Sequence, residues 1–566
     1  MRKGSLKIHH DNECKEYKAS FKVMNATHAA NTKQTLEWKK PLNKPQPGSF
    51  FLSKVQSQYT SSVKTMSSML AMHIELCCFL AFSTLVGLFF LSLFFVPSKK
   101  NQVYPKSYPL IGCSLEFIRN RARIIQWTSE IFDKLSSSTY TLELPLGRHV
   151  VCTKDPSNVK HILKTRFNNY HKERKVIEAF SDLFGKALFL SDGSEWKSQR
   201  QSFQHDFDPK EFHAYTSVVE EELSGRLVPF LSNAEKTAST VDLQDTLCRF
   251  TFDSVCQIGF GFDPKYLLSS LPPTPFADTY RSAAKLSILR YTTLPLIWKA
   301  KKFFNMKSEK RLAHMVDELH NFLGNIIAKK KERLLAREDL EDKDVLAKIL
   351  RRAKGEQLDD TFLIHTAVNF IMGGHDAMCP ALAWFFGLVS SNPNVEKVIV
   401  REIREKDGRL SDMVYMHASI YESLRLFPPF PADSKEAVED DVWPDGTKVK
   451  KGTSIFYHIF AMGRSPELWG PDWPAFSPER WLERRSGSSD EWNFIARDPF
   501  MYPVFHAGPR TCLGKEIAVV IMKMVAATIL KRFQVIPAQD NLSQNSDAFV
   551  TSRMKHGFPV RIIERH

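Results

Sequence analysis

The sequence predicts a mainly α-helical domain with small β-sheets, preceded by one N-terminal transmembrane helix. Three observations carry this. Residues 76–96, LCCFLAFSTLVGLFFLSLFFV, contain no charge. From about residue 115, apolar side chains recur at three- and four-residue spacing, as in FIRNRARIIQWTSEIFDKL and SEKRLAHMVDELHNFLGNIIAKKKERLLARE, the period of an amphipathic helix. Strand signals are short: STYTLEL, HVVCT and TKVKKGTSIFYHIF.

In chain order, residues 1–65 form a polar, basic leader. It is open to three readings: a disordered tail, a transit-like segment, or an upstream stretch that is no part of the working protein, with Met66, Met69 or Met72 as the start. The anchor occupies residues 66–100. As a helix, the span 76–96 is about 31 Å long at 1.5 Å per residue, matching a hydrocarbon core of about 30 Å. A secretory signal would be shorter and end in small residues, whereas this run ends FFVPSKK. Lys99, Lys100 and Lys106 lie just downstream, against Lys64 and Glu75 upstream, which predicts a cytosolic bulk. The leader opposes that orientation, because residues 1–70 hold 12 Lys/Arg and four Asp/Glu; a short leader removes the conflict. Residues 101–114 are a connector stiffened by Pro105 and Pro109, and residues 115–566 form the large domain.

With 566 residues, 43% of them apolar and 42 of them Phe, the chain can bury a large interior. The net charge is +15, but more than half of it sits in residues 1–70. The remainder is a solvated surface with a slight basic bias, so no nucleic-acid partner is expected. Nine scattered cysteines without a CxxC pair argue against a disulfide framework and for a reducing compartment. The sequence has no Rossmann or P-loop glycine pattern.

The sharpest signal is FHAGPRTCLGKE, residues 505–516. Cys512 stands among glycines ahead of an amphipathic helix. Gly508 and Gly514 permit a tight turn around the sulfur, and backbone N–H groups with the helix N-terminus stabilise a thiolate. Arg510 brings a charge able to pair with a carboxylate of a bound group. The spacing F-x-x-G-x-R-x-C-x-G, through Phe505, Gly508, Arg510, Cys512 and Gly514, resembles the haem-binding signature of the cytochrome P450 superfamily. Further motifs fall in the family's order. WKSQR sets Trp196 and Arg200 on one helical face, as in a haem-propionate contact. YESLR supplies Glu422 and Arg425, and FSPERW supplies Arg480, resembling the family's ion-paired triad. The stretches KSYPLIG, FNNYHKERK, LFPPFPADSKEAVEDDVWPDGT and AMGRSPELWGPD are similar to the plant P450 family of fatty-acid ω-hydroxylases and jasmonoyl–amino acid hydroxylases.

The resemblance implies a cytochrome P450 fold over residues 76–566 and a haem b whose iron takes Cys512 as axial ligand. Lys435 is a further contact to a propionate, and residues 176–190 and 430–433 shape the pocket. It implies a monooxygenase using O2 and NADPH electrons delivered by NADPH–cytochrome P450 reductase. Such an enzyme is a single-pass protein of the endoplasmic reticulum membrane, in contact with membrane lipid, with its catalytic domain cytosolic and a small apolar substrate.

One stretch departs from that pattern. GGHDAMCP, residues 373–380, matches the family's oxygen-activating turn at Gly374 and Asp376. The usual threonine is replaced by Ala377, so the hydroxyl that helps deliver protons is missing; loss of a positioned proton donor costs on the order of 10²–10⁴-fold in the assisted step. Pro380 cannot donate to the Asp376 carbonyl, which predicts a kink there. A His375–Asp376 metal pair is disfavoured, since adjacent helical side chains diverge by about 100°. The connection 407–414, DGRLSDMV, is shorter than in family members and predicts looser packing behind the Glu422 helix. Two alternatives therefore stay open: a P450-fold enzyme that rearranges lipid hydroperoxides without activating O2, and a poorly active or decayed haem-binding copy.

Overall fold

The computed structural model describes residues 74–75, 77–91, 105–108, 111–268, 270–271, 273–336, 343–353, 358–484, 492–539 and 551–565. The chain divides into two units, residues 1–94 and 95–566. In the first, residues 77–91 are helical, with Phe79, Phe82, Leu85, Leu88 and Phe90 all exposed. Among the described residues no helix is long and apolar enough to cross a membrane. The expected span 76–96 extends beyond the described residues at both ends, and the leader 1–65 lies outside them.

The second unit is helical with small sheets, as its periodicity predicts. Helix α1 (Ile124–Leu135) leads into strands β1 (Thr139–Leu144) and β2 (Arg148–Thr153). These join β3 (Tyr170–Lys172), a later strand β5 (Asp433–Ala437) and β6 (Ser454–Tyr457) in a five-stranded sheet of order β1-β2-β6-β5-β3. The sheet is antiparallel except where β2 pairs β6. Side chains along β1 alternate between buried and open, as a one-sided sheet requires. A second, three-stranded sheet joins β4 (Val241–Asp242), β7 (Phe533–Pro537) and β8 (Pro559–Glu564) in the order β7-β8-β4.

Between the sheets run the helices that frame the interior. They begin with α2 (Arg174–Phe184) and α3 (Gly193–Gln204). Next comes α4 (Leu243–Phe260), begun by an Asp242 cap on the Asp245 N–H and ended by Gly261 in the left-handed region. Helices α5 (Pro275–Thr292), α6 (Pro295–Phe303) and α7 (Lys307–Leu335) follow. The central rod is α8 (Asp360–Ile371), a π turn at Met372–Asp376, and α9 (Ala377–Ser390). A π turn at Met372–Asp376 directly precedes α9, whose fourth residue is Pro380; such turns recur at functional sites. Helices α10 (Pro393–Glu405), α11 (Val414–Leu426) and α12 (Lys515–Arg532) complete the frame.

The main core lies where α9, α11 and α12 pack. Trp384 stacks on Phe427 with ring centroids 3.7 Å apart and donates to the Ser552 carbonyl; truncating such a buried Trp to Ala costs about 3–5 kcal/mol. The short 407–414 connection does not loosen this region. Glu402 of α10 accepts the Tyr415 and Met416 N–H groups at 2.7 and 2.8 Å, capping α11, and Lys523 holds the Leu410 carbonyl at 2.8 Å. The cysteines differ from expectation at one place. Cys248 and Cys379, 131 residues apart, form a disulfide between α4 and α9, a pairing that sequence spacing does not reveal because helix packing creates it. Six described cysteines remain free.

Candidate active site

A cavity of about 960 Å³ opens inside the second unit, at the upper end of the range of about 300–1,000 Å³ usual for small-molecule sites. Its wall is largely apolar and rich in phenylalanine, with Phe180 and Phe184 from α2, Phe207, Phe370 from α8, Phe430 and Phe505. The segments 176–190 and 430–433 contribute to it as expected. Gly373, Gly374 and Ala377 line it from the central rod, and Trp196, Arg200, Lys435, Phe505, Arg510, Cys512 and Gly514 also face it.

The cysteine turn is built by backbone hydrogen bonds. Cys512 donates its N–H to the Phe505 carbonyl at 2.8 Å, and Thr511 bonds the Gly508 carbonyl through both N–H and hydroxyl. Gly508 has φ +66°, and a Cβ there would sit 2.2 Å from the Leu163 carbonyl oxygen, so this position requires glycine. Gly514 has an ordinary φ of −87° at the start of α12, and a Cβ would make ordinary contacts with the Phe207 ring at 3.6 Å and Ile517 at 3.9 Å; within the protein alone its glycine identity is not forced. Cys512 is exposed, yet it is exposed toward the cavity, where the surrounding protein desolvates it. Burial therefore raises its thiol pKa; the Gly514 N–H, Arg200 and Lys515 pull the other way without winning. The turn by itself does not make a thiolate. A cation bound at the sulfur would, since a coordinating thiol is deprotonated outright.

Around the sulfur stands a set of buried and half-buried cations short of anions. Lys435, 2% exposed, meets Asp433 at 3.4 Å, and desolvation pushes its pKa down to about 7. Lys172 approaches the same carboxylate at 3.6 Å, so one acid serves two buried lysines. Arg510 bonds Asp192 and the Ser191 carbonyl, but its Nε has no partner; it lies over the Trp196 ring at 4.4 Å. Arg200 donates to the Thr511 carbonyl at 2.7 Å and pairs with no acid among the described residues. An apolar cavity, a reachable sulfur and unsatisfied cations beside it suit a flat, apolar metal complex that carries carboxylates.

Behind the turn, Glu422 and Arg425 are both fully buried in a bidentate pair at 2.7 and 2.8 Å. Glu422 also accepts from Ser477 N–H at 3.1 Å and Trp481 Nε1 at 2.9 Å. Arg480 Nε stands 3.3 Å from Glu422 but without hydrogen-bond geometry. Its firm partners are Asp472 at 2.6 Å and the Trp469 carbonyl at 2.8 Å. Residues 103–558 match the family model described as Cytochrome P450. The chain belongs to the cytochrome P450 family. It is 44% identical to Cytochrome P450 94A1 of Vicia sativa over 470 residues, 81% of this chain and 90% of that relative. It is 43% identical to Cytochrome P450 94A2 of the same species, covering 83% and 92%, and 38% identical to Cytochrome P450 94B1 of Arabidopsis thaliana, covering 81% and 91%. Membership of this family of monooxygenases implies a haem iron, which the cations and the cysteine turn of this P450 suit.

The part of the wall formed by the π turn differs. Gly374 packs so closely that a Cβ would lie 2.7 Å from Val255. Ala377 presents a methyl group to the cavity. Asp376 is not among the lining residues: its carboxylate accepts from Tyr280 at 2.8 Å and from Arg553 at 2.9 Å. Burial raises its pKa while Arg553 and Tyr280 restrain the shift. His375, also buried, bonds Thr251 at 2.9 Å, and no cluster of three metal-ligating side chains occurs among the described residues. Sequence reasoning missed Lys172, His506 and Tyr457, which with Asp433 form the polar cluster beside the cysteine turn. Only His506, inside the FHAGPR motif, carried a local signal. Trp481, Asp472, Tyr280 and Arg553 were missed because each acts across the fold.

Proposed function

We propose that this chain is a haem-thiolate monooxygenase that hydroxylates a fatty acid, or a fatty-acid-derived molecule such as a jasmonoyl–amino acid conjugate, at or near its ω carbon. The observation that carries this reading is a cysteine sulfur reachable from a large, mostly apolar cavity and flanked by anion-poor cations. Cys512 is the iron ligand in this proposal; Arg510, Lys435, Arg200 and Trp196 hold the propionate side. Haem b supplies the oxygen chemistry. Gly508 and the Phe505 carbonyl fix the sulfur's direction, and the Glu422–Arg425 pair with Trp481 and Arg480 holds the helix behind it. The phenylalanine wall excludes water and orients an alkyl chain.

NADPH electrons arrive through NADPH–cytochrome P450 reductase, and the protein resides in the endoplasmic reticulum membrane with this domain cytosolic. Two features support contact with lipid. The helical residues 77–91 expose apolar side chains such as Phe79 and Phe82, and α6 with its flanks exposes Leu296 (78%), Phe303 (83%) and Phe304 (60%) beside Lys301 and Lys302. Apolar side chains next to lysines suit a membrane interface.

Ala377 and the withdrawn Asp376 favour one second reading, an enzyme of this fold that rearranges lipid hydroperoxides and needs no proton delivery from this turn. Expression of residues 66–566, a carbon-monoxide spectrum of the reduced protein and an NADPH-dependent product assay with dodecanoic acid separate the cases. A thiolate-type spectrum with hydroxylated product supports the monooxygenase. Turnover of hydroperoxides without NADPH supports the second reading, and absence of a thiolate-type spectrum defeats both.

A further inference from the structure

The cavity wall carries five cations: Lys172, Lys175, Arg200, Lys435 and Arg510. Four have at least one protein partner. Lys172 and Lys435 share Asp433, Arg510 holds Asp192, and Arg200 holds the Thr511 carbonyl. Lys175, in the first turn of α2, has neither a hydrogen bond nor an ion pair among the described residues. The acids near it are committed elsewhere. Glu173 accepts from Tyr291 and Ser454, Glu178 pairs with Lys299, and Glu436 accepts the Arg174 N–H. Glu173 is close enough to favour the charged form but is bonded elsewhere, and a half-buried ammonium without a bonded partner in a cavity wall is costly unless a ligand relieves it.

The surroundings show where this group sits. Leu144 and Pro145, from the turn between β1 and β2, line the cavity, as does Leu294, which is 43% exposed. The wall therefore reaches the surface in this quarter. Arg148, at the start of β2, is exposed and close enough to depress the Lys175 pKa further below the value that burial already lowers. Arg148 pairs in register with Leu144, which lines the cavity, so a second cation stands next to this part of the wall. The cations beside Cys512 belong to a different group, since Lys172, Lys435 and Arg510 are tied to Asp433 and Asp192.

We infer that Lys175, with Arg148 beside it, receives the carboxylate of the substrate at the rim of the cavity and so points the other end of the chain inward toward Cys512. This deepens the hydroxylase reading and rests on it for the identity of the substrate. An anion between the two cations relieves their repulsion and gives Lys175 the partner it lacks. It also gives a physical reason for oxidation at the ω end: a chain tethered by its carboxylate offers its far terminus to the sulfur side.

The test is a pair of calorimetric titrations on the full-length holoenzyme in a neutral detergent, with dodecanoic acid and methyl dodecanoate. The wild type is expected to bind the acid about tenfold more tightly than the ester, an amount set by one charge-assisted hydrogen bond. Lys175→Ala should erase most of that preference and leave the ester within about twofold, Lys175→Arg should keep it, and raised salt should weaken only the acid. Equal binding of acid and ester by the wild type, or equal losses for both in Lys175→Ala, overturns the anchor. The two claims fail separately. A protein with the acid preference but no NADPH-dependent product supports the anchor and defeats the hydroxylase. Product formed from acid and ester alike, in wild type and Lys175→Ala alike, overturns the anchor and leaves the hydroxylase standing.

Discussion

The two walls of the cavity are built to different standards. On the Cys512 side, the backbone turn and the helix behind it are closely fitted: Gly508 fits against Leu163, the sulfur's loop is closed by Phe505, and Glu422 is held by Arg425, Ser477 and Trp481. On the π-turn side, the groups that remain are polar and buried but turned from the cavity, and the position that faces it is a methyl. The difference teaches that holding a metal complex and steering protons are separable demands on this fold. The first is met by packing and backbone geometry spread over many residues. In the proposed function the second would rest on position 377, where this chain presents a methyl group.

The comparison can be broken most sharply at the sulfur. Cys512→Ala should abolish the thiolate-type spectrum and all product, while dodecanoic acid binding persists; retained activity would remove the cysteine from the site. Next in size is Glu422→Ala, which strands Arg425 in a fully buried position. It should destabilise the domain by about 3–5 kcal/mol in denaturant unfolding, far more than Asp376→Asn on the other wall. There Tyr280 keeps a partner and Arg553 loses a charge-assisted bond, so about 1–3 kcal/mol is expected. Because Asp376 does not line the cavity, Asp376→Asn should leave acid binding unchanged.

The smallest effect concerns pH. Lys435 has a folded pKa near 7, below the unfolded value of 10.5. Between those values the unfolded chain binds a proton that the folded haem-free protein does not, so stability rises with pH across that window. Lys435→Met should flatten that slope, and haem loading should flatten it too by restoring the lysine's charge.

Much of this was legible in the chain, for reasons that differ by region. Cys512, Gly508 and Arg510 sit within five residues, and Glu422 and Arg425 are one helical turn apart, so local spacing carries their geometry. The fold class follows from helical periodicity that real packing then uses. Arg480 shows the limit. The sequence supplies the residue, but only the fold shows that Asp472 and the Trp469 carbonyl hold it more firmly than Glu422 does. The same holds for Asp376, whose motif position implies a cavity-facing acid. Tyr280 on α5 and Arg553 ahead of β8, distant in sequence, draw it away. The Cys248–Cys379 pair was invisible for the same reason: its partners meet only because α4 packs on α9.

The claim that the two walls differ in kind is tested most directly by the ratio of hydroxylated product to NADPH consumed, measured on the holoenzyme of the wild type and of Ala377→Thr with the same substrate and reductase. A low ratio with peroxide release in the wild type, rising several-fold in Ala377→Thr while the reduced carbon-monoxide spectrum stays the same, is the predicted result. A wild-type ratio near one, unchanged by the threonine, would contradict it and show that proton delivery does not depend on this position.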